Sequence, residues 1–176
     1  MNMANEWLRV LETWLSSNKL TLNVEKNSYV IFRARNKPID SSVELAFQDL
    51  HITRVDVQKF LGVYFHEHMS WAQQVSKLRI NASRTIGLLS KLRLFLPAWF
   101  KQKLYYAMIF SRLYYCILVW GSTGKSNLEK LHVLQKKYIR FIENKSRYED
   151  ASPLFPKYKI LPIRTLTSKA GELPVS

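Results

Sequence analysis

Hydrophobic and polar positions change period once along this chain. Before residue 65 they alternate in short runs, and beyond residue 71 they recur at three- and four-residue steps. The first stretch is an exception: Trp7, Leu8, Val10, Leu11, Trp14 and Leu15 stand at helical spacing and predict an amphipathic helix over residues 1–17. It is stopped near Ser16-Ser17-Asn18. A turn with an extended segment at 20–22 follows, then a strand over 28–32 and a polar loop over 33–42 carrying Arg33, Arg35 and Lys37. Runs at 43–47 and 50–53 predict a tight hairpin around Gln48-Asp49. A third strand is expected over 57–65, with Val63 and Phe65 on one face and Phe60 and Tyr64 on the other. Gly62 inside it marks a bulge or a close approach of another backbone. The first part reads as one helix and a small antiparallel sheet.

From residue 71 to 96, Val75, Leu78, Ala82, Thr85, Ile86, Leu89, Leu92 and Leu96 form the buried stripe of a helix. Pro97 starts the next helix, where its missing N–H is tolerated. Residues 98–120 are apolar nearly all round, with Arg112 the only charge between Lys103 and Lys125. Arg112 at the centre and four tyrosines spread along the length speak against a membrane span, and predict a central helix wrapped by neighbours. A further helix over 126–141 repeats Leu128, Leu131, Leu134, Tyr138 and Phe141. Three prolines, Pro153, Pro156 and Pro162, break the remainder into short pieces. The fold class is therefore α+β, with a helix and small sheet over 1–68, a helical bundle over 69–170 and an unstructured tail over 171–176.

Charge changes this picture. Lys and Arg number 27 against 13 Asp and Glu, a net charge of +14 and a pI near 10.0 over 176 residues. Such an excess suits a polyanionic partner, nucleic acid before an anionic membrane. It is also segregated. Between Glu67 and Glu129 stand Lys77, Arg79, Arg84, Lys91, Arg93, Lys101, Lys103, Arg112 and Lys125, and no acidic residue. Lys77, Arg84 and Lys91 recur every seven residues, along one flank of the first long helix, which suits a phosphate backbone. The bland alternative is that their stems only cover the apolar stripe. The single cysteine, Cys116, excludes an internal disulfide and fits a reducing, intracellular setting, nuclear or cytoplasmic. His66-Glu67-His68 invites a metal reading, but no further His or Cys cluster completes a site, and exposed loop residues are expected there instead.

An ordered set of segments resembles a known family. Residues 18–26 (Asn-Lys-Leu-Thr-Leu-Asn-Val-Glu-Lys) with Tyr29-Val30-Ile31-Phe32, then Phe60-Leu61-Gly62-Val63 and Trp71, are similar to the region after the catalytic strands of non-LTR (LINE-type) retrotransposon reverse transcriptases. Leu94 to Pro97, Tyr105, Tyr114-Tyr115, Val119-Trp120-Gly121 and Leu134-Gln135-Lys136-Lys137 with Arg140 resemble the helical thumb that follows. The likeness runs from about residue 5 to 168 and fades in the tail. It implies the end of a palm and a thumb. Phe60, Leu61 and Gly62 would be the primer grip, Asn23 and Lys26 would lie in the post-catalytic loop, and the flank of Lys77, Arg84 and Lys91 would meet the backbone of an RNA–DNA or DNA duplex.

The departures are equally informative. The family's two-Mg²⁺ chemistry needs paired aspartates. Here the aspartates are Asp40, Asp49, Asp56 and Asp150, none with an Asp neighbour. Catalytic residues, metal ligands and cofactors are thus expected to be absent from this chain, with Mg²⁺ belonging to palm residues upstream. No membrane and no small-molecule ligand are expected. Two other readings fit the same residues: a non-catalytic basic nucleic-acid-binding module, and a relic of a transposable element without function.

Overall fold

Helix α1 (Asn2–Ser17) half-buries Leu8 and Leu15 and leaves Trp7 and Trp14 exposed. These elements belong to a computed structural model that describes residues 2–23, 27–38, 44–48 and 50–171. The chain separates into two compact units, Met1–Ser70 and Trp71–Ser176. A Schellman-type cap ends α1: Lys19 takes a left-handed conformation (φ 54°), and the Leu20 N–H reaches back to the Leu15 carbonyl at 2.9 Å. Among the described residues, 20–22 pair with no strand. Asn5 ties α1 to the sheet region, donating to the Glu44 carbonyl at 3.3 Å and accepting the Ala46 N–H at 3.4 Å.

Among the described residues, the expected single antiparallel sheet is instead three separate strand pairs. β1 (Ser28–Tyr29) pairs in parallel with β4 (Thr53–Arg54), while β2 (Ala46–Phe47) pairs antiparallel with β3 (Leu50–His51). Parallel pairing is open to β1 because a long connection separates it from β4, whereas the β2–β3 turn is too short for anything but reversal. Val43 and Asp49, part of the predicted hairpin, lie outside the described residues. The third predicted strand is itself folded in two. β5 (Val57–Phe60) and β6 (Val63–His66) are antiparallel, with Phe60 opposite Val63 and Lys59 opposite Tyr64. Phe60 and Val63 therefore lie on one side of the ladder, a correction to the expectation for a continuous strand. Phe47 and Val63 are the buried apolar residues described in this unit.

In the second unit, α2 (Ala72–Ser90) buries Val75, Leu78, Ala82, Thr85 and Ile86, as the spacing predicts. It stops six residues short of the expected end. The N–H groups of Lys91, Leu92, Arg93 and Phe95 bond three residues back, in turns, and Leu92 is exposed. α6 (Lys125–Ile142) packs against α2 and buries Leu131, Leu134, Gln135, Tyr138 and Ile139.

Residues 98–120 are not one helix. They form α3 (Ala98–Leu104), a π-helical stretch (Tyr105–Phe110), α4 (Ser111–Tyr114) and α5 (Ile117–Trp120), with Cys116 left-handed at φ 52°. The buried residues explain the distortion: Lys101, Tyr105, Ile109, Leu113 and Ile117 recur every four positions. In an ideal α-helix such a row drifts off the contact line, and the wider π turn brings it back. The segment is also not wrapped all round, since Tyr106, Tyr114 and Leu118 on other faces are exposed. Among the described residues, no helix is long and apolar enough to cross a membrane.

Gln135 joins three elements inside this unit. Its amide donates to the Tyr105 hydroxyl at 2.8 Å and to the Leu161 carbonyl at 3.1 Å, and its Oε1 accepts the Ile163 N–H at 2.7 Å. Ile163 opens α8 (Ile163–Gly171), so a side chain of α6 caps α8. The short α7 (Leu154–Lys157) precedes it. Residues 172–176 of the expected tail lie outside the described residues.

Candidate nucleic-acid interface

The β5–β6 turn has two central residues, Leu61 at φ 45° and Gly62 at φ 83°. Two positive φ angles are the mark of a type I′ turn, which favours Asn-Gly or Gly-Gly. Gly62 meets that demand freely. Leu61 does not, and its left-handed backbone costs about 1 kcal/mol. Phe60 and Leu61 are 62% and 72% exposed, so an aromatic and a strained aliphatic residue project from the tip. The three residues expected to act together are thus adjoining residues at one hairpin end, rather than along a strand.

A buried carboxylate anchors the base of that hairpin. Glu67, directly after β6, is 7% exposed. It accepts Arg33 Nε and Nη2, both at 3.1 Å, and Arg54 Nη2 at 3.1 Å, and pairs with His68 Nε2 at 3.2 Å. Its backbone joins the same assembly, since the Arg33 N–H donates to the Glu67 carbonyl at 2.9 Å. The segment His66-Glu67-His68 is therefore an ionic clasp, not an exposed loop as expected; no group of acidic, His or Cys residues among those described could hold a metal. Burial pushes the Glu67 carboxyl up, but Arg33, then His68 and Arg54, outweigh this and hold it below the usual range. A depressed folded value means the clasp stabilises fully above the ordinary carboxylate range and is lost as pH falls through the lower one. Acid should therefore loosen the first unit: protection of the β6 amides, meaning exchange relative to the unfolded chain at the same pH, should fall as pH drops from neutral to about 3. Glu67→Gln should exchange faster at neutral pH and lose this acid dependence; the same acid profile in the variant would assign it to other groups.

The cationic flank belongs to the second unit. Lys77 and Arg84 lie seven residues apart on α2, both exposed, and Lys91 follows at the cap, still in helical conformation (φ −65°, ψ −27°). The structure thus keeps the three on one flank. Ile80 and Leu88, both exposed, interleave with them. Asn23 is exposed in the coil after α1 and its carbonyl accepts the Asn27 amide at 2.6 Å. Lys26 lies outside the described residues.

Over 147 residues, 81% of this chain, the sequence is 24% identical to the RNA-directed DNA polymerase from mobile element jockey of Drosophila melanogaster. The chain is distantly related to that polymerase. The aligned part is 16% of the fly protein, so this chain spans about a sixth of its length. No family model and no solved structure matches the chain. The similarity supports the relation to LINE-type reverse transcriptases that the residues themselves suggested.

Spacing along α2 left out the cations that α6 brings alongside it. Arg79 and Ser83 of α2 and Ser126, Lys130 and Lys137 of α6 line one cavity of about 300 Å³. The signal was available in part, because residues 126, 130, 133 and 137 form a stripe at four- and three-residue steps on α6. Its pairing with α2 could not be read from sequence.

Proposed function

We propose that this chain is a template–primer-binding piece of an RNA-directed DNA polymerase, comprising the end of a palm and a thumb, and inactive alone. The observation that carries this reading is the similarity over 81% of the chain to the jockey polymerase. The exposed hairpin tip at Phe60, Leu61 and Gly62 suits contact with a primer end, and the flank of Lys77, Arg84 and Lys91 suits phosphates. Phosphate contacts of this kind position a duplex and read no sequence. Mg²⁺ chemistry would rest on carboxylate pairs elsewhere in such an enzyme, since the aspartates of this chain stand singly.

The test is binding of a short RNA–DNA hybrid duplex followed by fluorescence anisotropy across a salt series. Affinity should be indifferent to base sequence and fall linearly in log–log form with salt. Changing Lys77, Arg84 and Lys91 to Ala should lower the slope magnitude by about 2–3, at about 0.9 per lost phosphate contact, with the helix intact. Primer extension with Mg²⁺ should give no product. A wild-type chain that binds no duplex, or one that extends a primer, would overturn the proposal.

A further inference from the structure

The groove between α2 and α6 carries chemistry that neither helix shows alone. One wall is Arg79 and Ser83; the other is Ser126, Lys130, Val133 and Lys137, with Leu134 beneath. Its one acid, Glu129, is engaged by Arg164 of α8, so the lining keeps three cations against a carboxylate already paired. All three cations are exposed, and among the described residues Lys130 makes a 3.3 Å bond to Asn127 of its own helix. Ser126 stands in the first turn of α6, where free N–H groups and the helix dipole favour negative charge.

The distribution of these groups points to an extended ligand. Lys130 and Lys137 are about 10 Å apart along the helix axis, at 1.5 Å per residue. Charges strung along an open groove suit successive phosphates of a chain better than one compact anion, which needs donors converging on a point. Hydroxyls at Ser83 and Ser126 add donors of the type that contact backbone phosphates.

We propose that the α2–α6 groove, lined by Arg79, Lys130 and Lys137 with Ser83 and Ser126, is a second seat for the phosphodiester backbone of a nucleic acid strand. This rests on the nucleic-acid reading above, and places the strand on a different face of α2 from the Lys77–Arg84 flank. On a helical wheel Arg79 lies well over a quarter-turn from Lys77.

Lysine acetylation read by mass spectrometry tests it on the intact wild-type chain, with the RNA–DNA hybrid as probe. Adding duplex should slow modification of Lys130 and Lys137 several-fold and leave Lys157 of α7, which pairs with Glu143, unchanged. Replacing Arg79, Lys130 and Lys137 by Gln should lower the salt slope by about 2–3. Unchanged acetylation of Lys130 and Lys137 while anisotropy reports bound duplex overturns the groove and leaves the α2 flank standing. Protection by poly-glutamate or inorganic phosphate, without protection by duplex, assigns the groove to another anion and also overturns it. Absence of any duplex binding removes the groove and the proposed function together.

Discussion

Replacing Gln135 by Met should destabilise the helical unit more than its size suggests. The two side chains are similar in volume, so no cavity opens. What is lost is every partner of a fully buried amide: the Ile163 N–H loses its acceptor, and the Leu161 carbonyl and Tyr105 hydroxyl lose a donor. An orphaned buried polar group costs about 1–3 kcal/mol, so the sum is on the order of 3 kcal/mol or more. Chemical denaturation should show it as a lower midpoint with unchanged slope. Because the Ile163 N–H belongs to the first turn of α8, exchange of α8 amides should rise first. A loss under about 1 kcal/mol would mean that water replaces the amide and that α8 does not depend on it.

The second large effect is expected at Ile109. It is fully buried in the π-helical stretch, and truncation to Ala should cost about 2–5 kcal/mol. Leu104 sits only five residues away and carries the same number of carbons, yet it is half-exposed and should cost clearly less. The comparison checks the broken-helix geometry directly. In a helix buried on all sides the two would cost alike, so equal losses at both positions would argue against the four-residue row of buried side chains.

These elements differ in how far they could be read ahead of the structure. α1, α2 and α6 were legible because each has a polar face, and contrast between faces is what makes a period visible. Residues 98–120 lack that contrast. With apolar side chains nearly everywhere, neither the break at Cys116 nor the exposure of Tyr114 and Leu118 leaves a mark in the pattern. The hairpin at Leu61-Gly62 was missed for another reason: its first central residue is Leu, which no turn rule favours at positive φ. Within the candidate interface, the seven-residue spacing of Lys77, Arg84 and Lys91 was local information and survived. The Glu67 clasp was not, since it collects Arg33 and Arg54 from 34 and 13 residues upstream. Arg79 and Lys130 likewise meet only through packing of α2 on α6.

The π-helical stretch from Tyr105 to Phe110 has a consequence for chain length. A ring closed five residues back holds one residue more than the α-helical ring closed four back. The segment is thus a place where one residue can be gained or lost without turning the flanking helices relative to each other. Removal of one exposed residue, such as Ala107, would return the stretch to ordinary α geometry and leave Lys101 and Leu113 facing as they do now. Elsewhere in these helices a single deletion would rotate everything beyond it by about 100° and pull the buried row into solvent. Length differences between this chain and its relatives should therefore gather at residues 105–110, sparing α2 and α6.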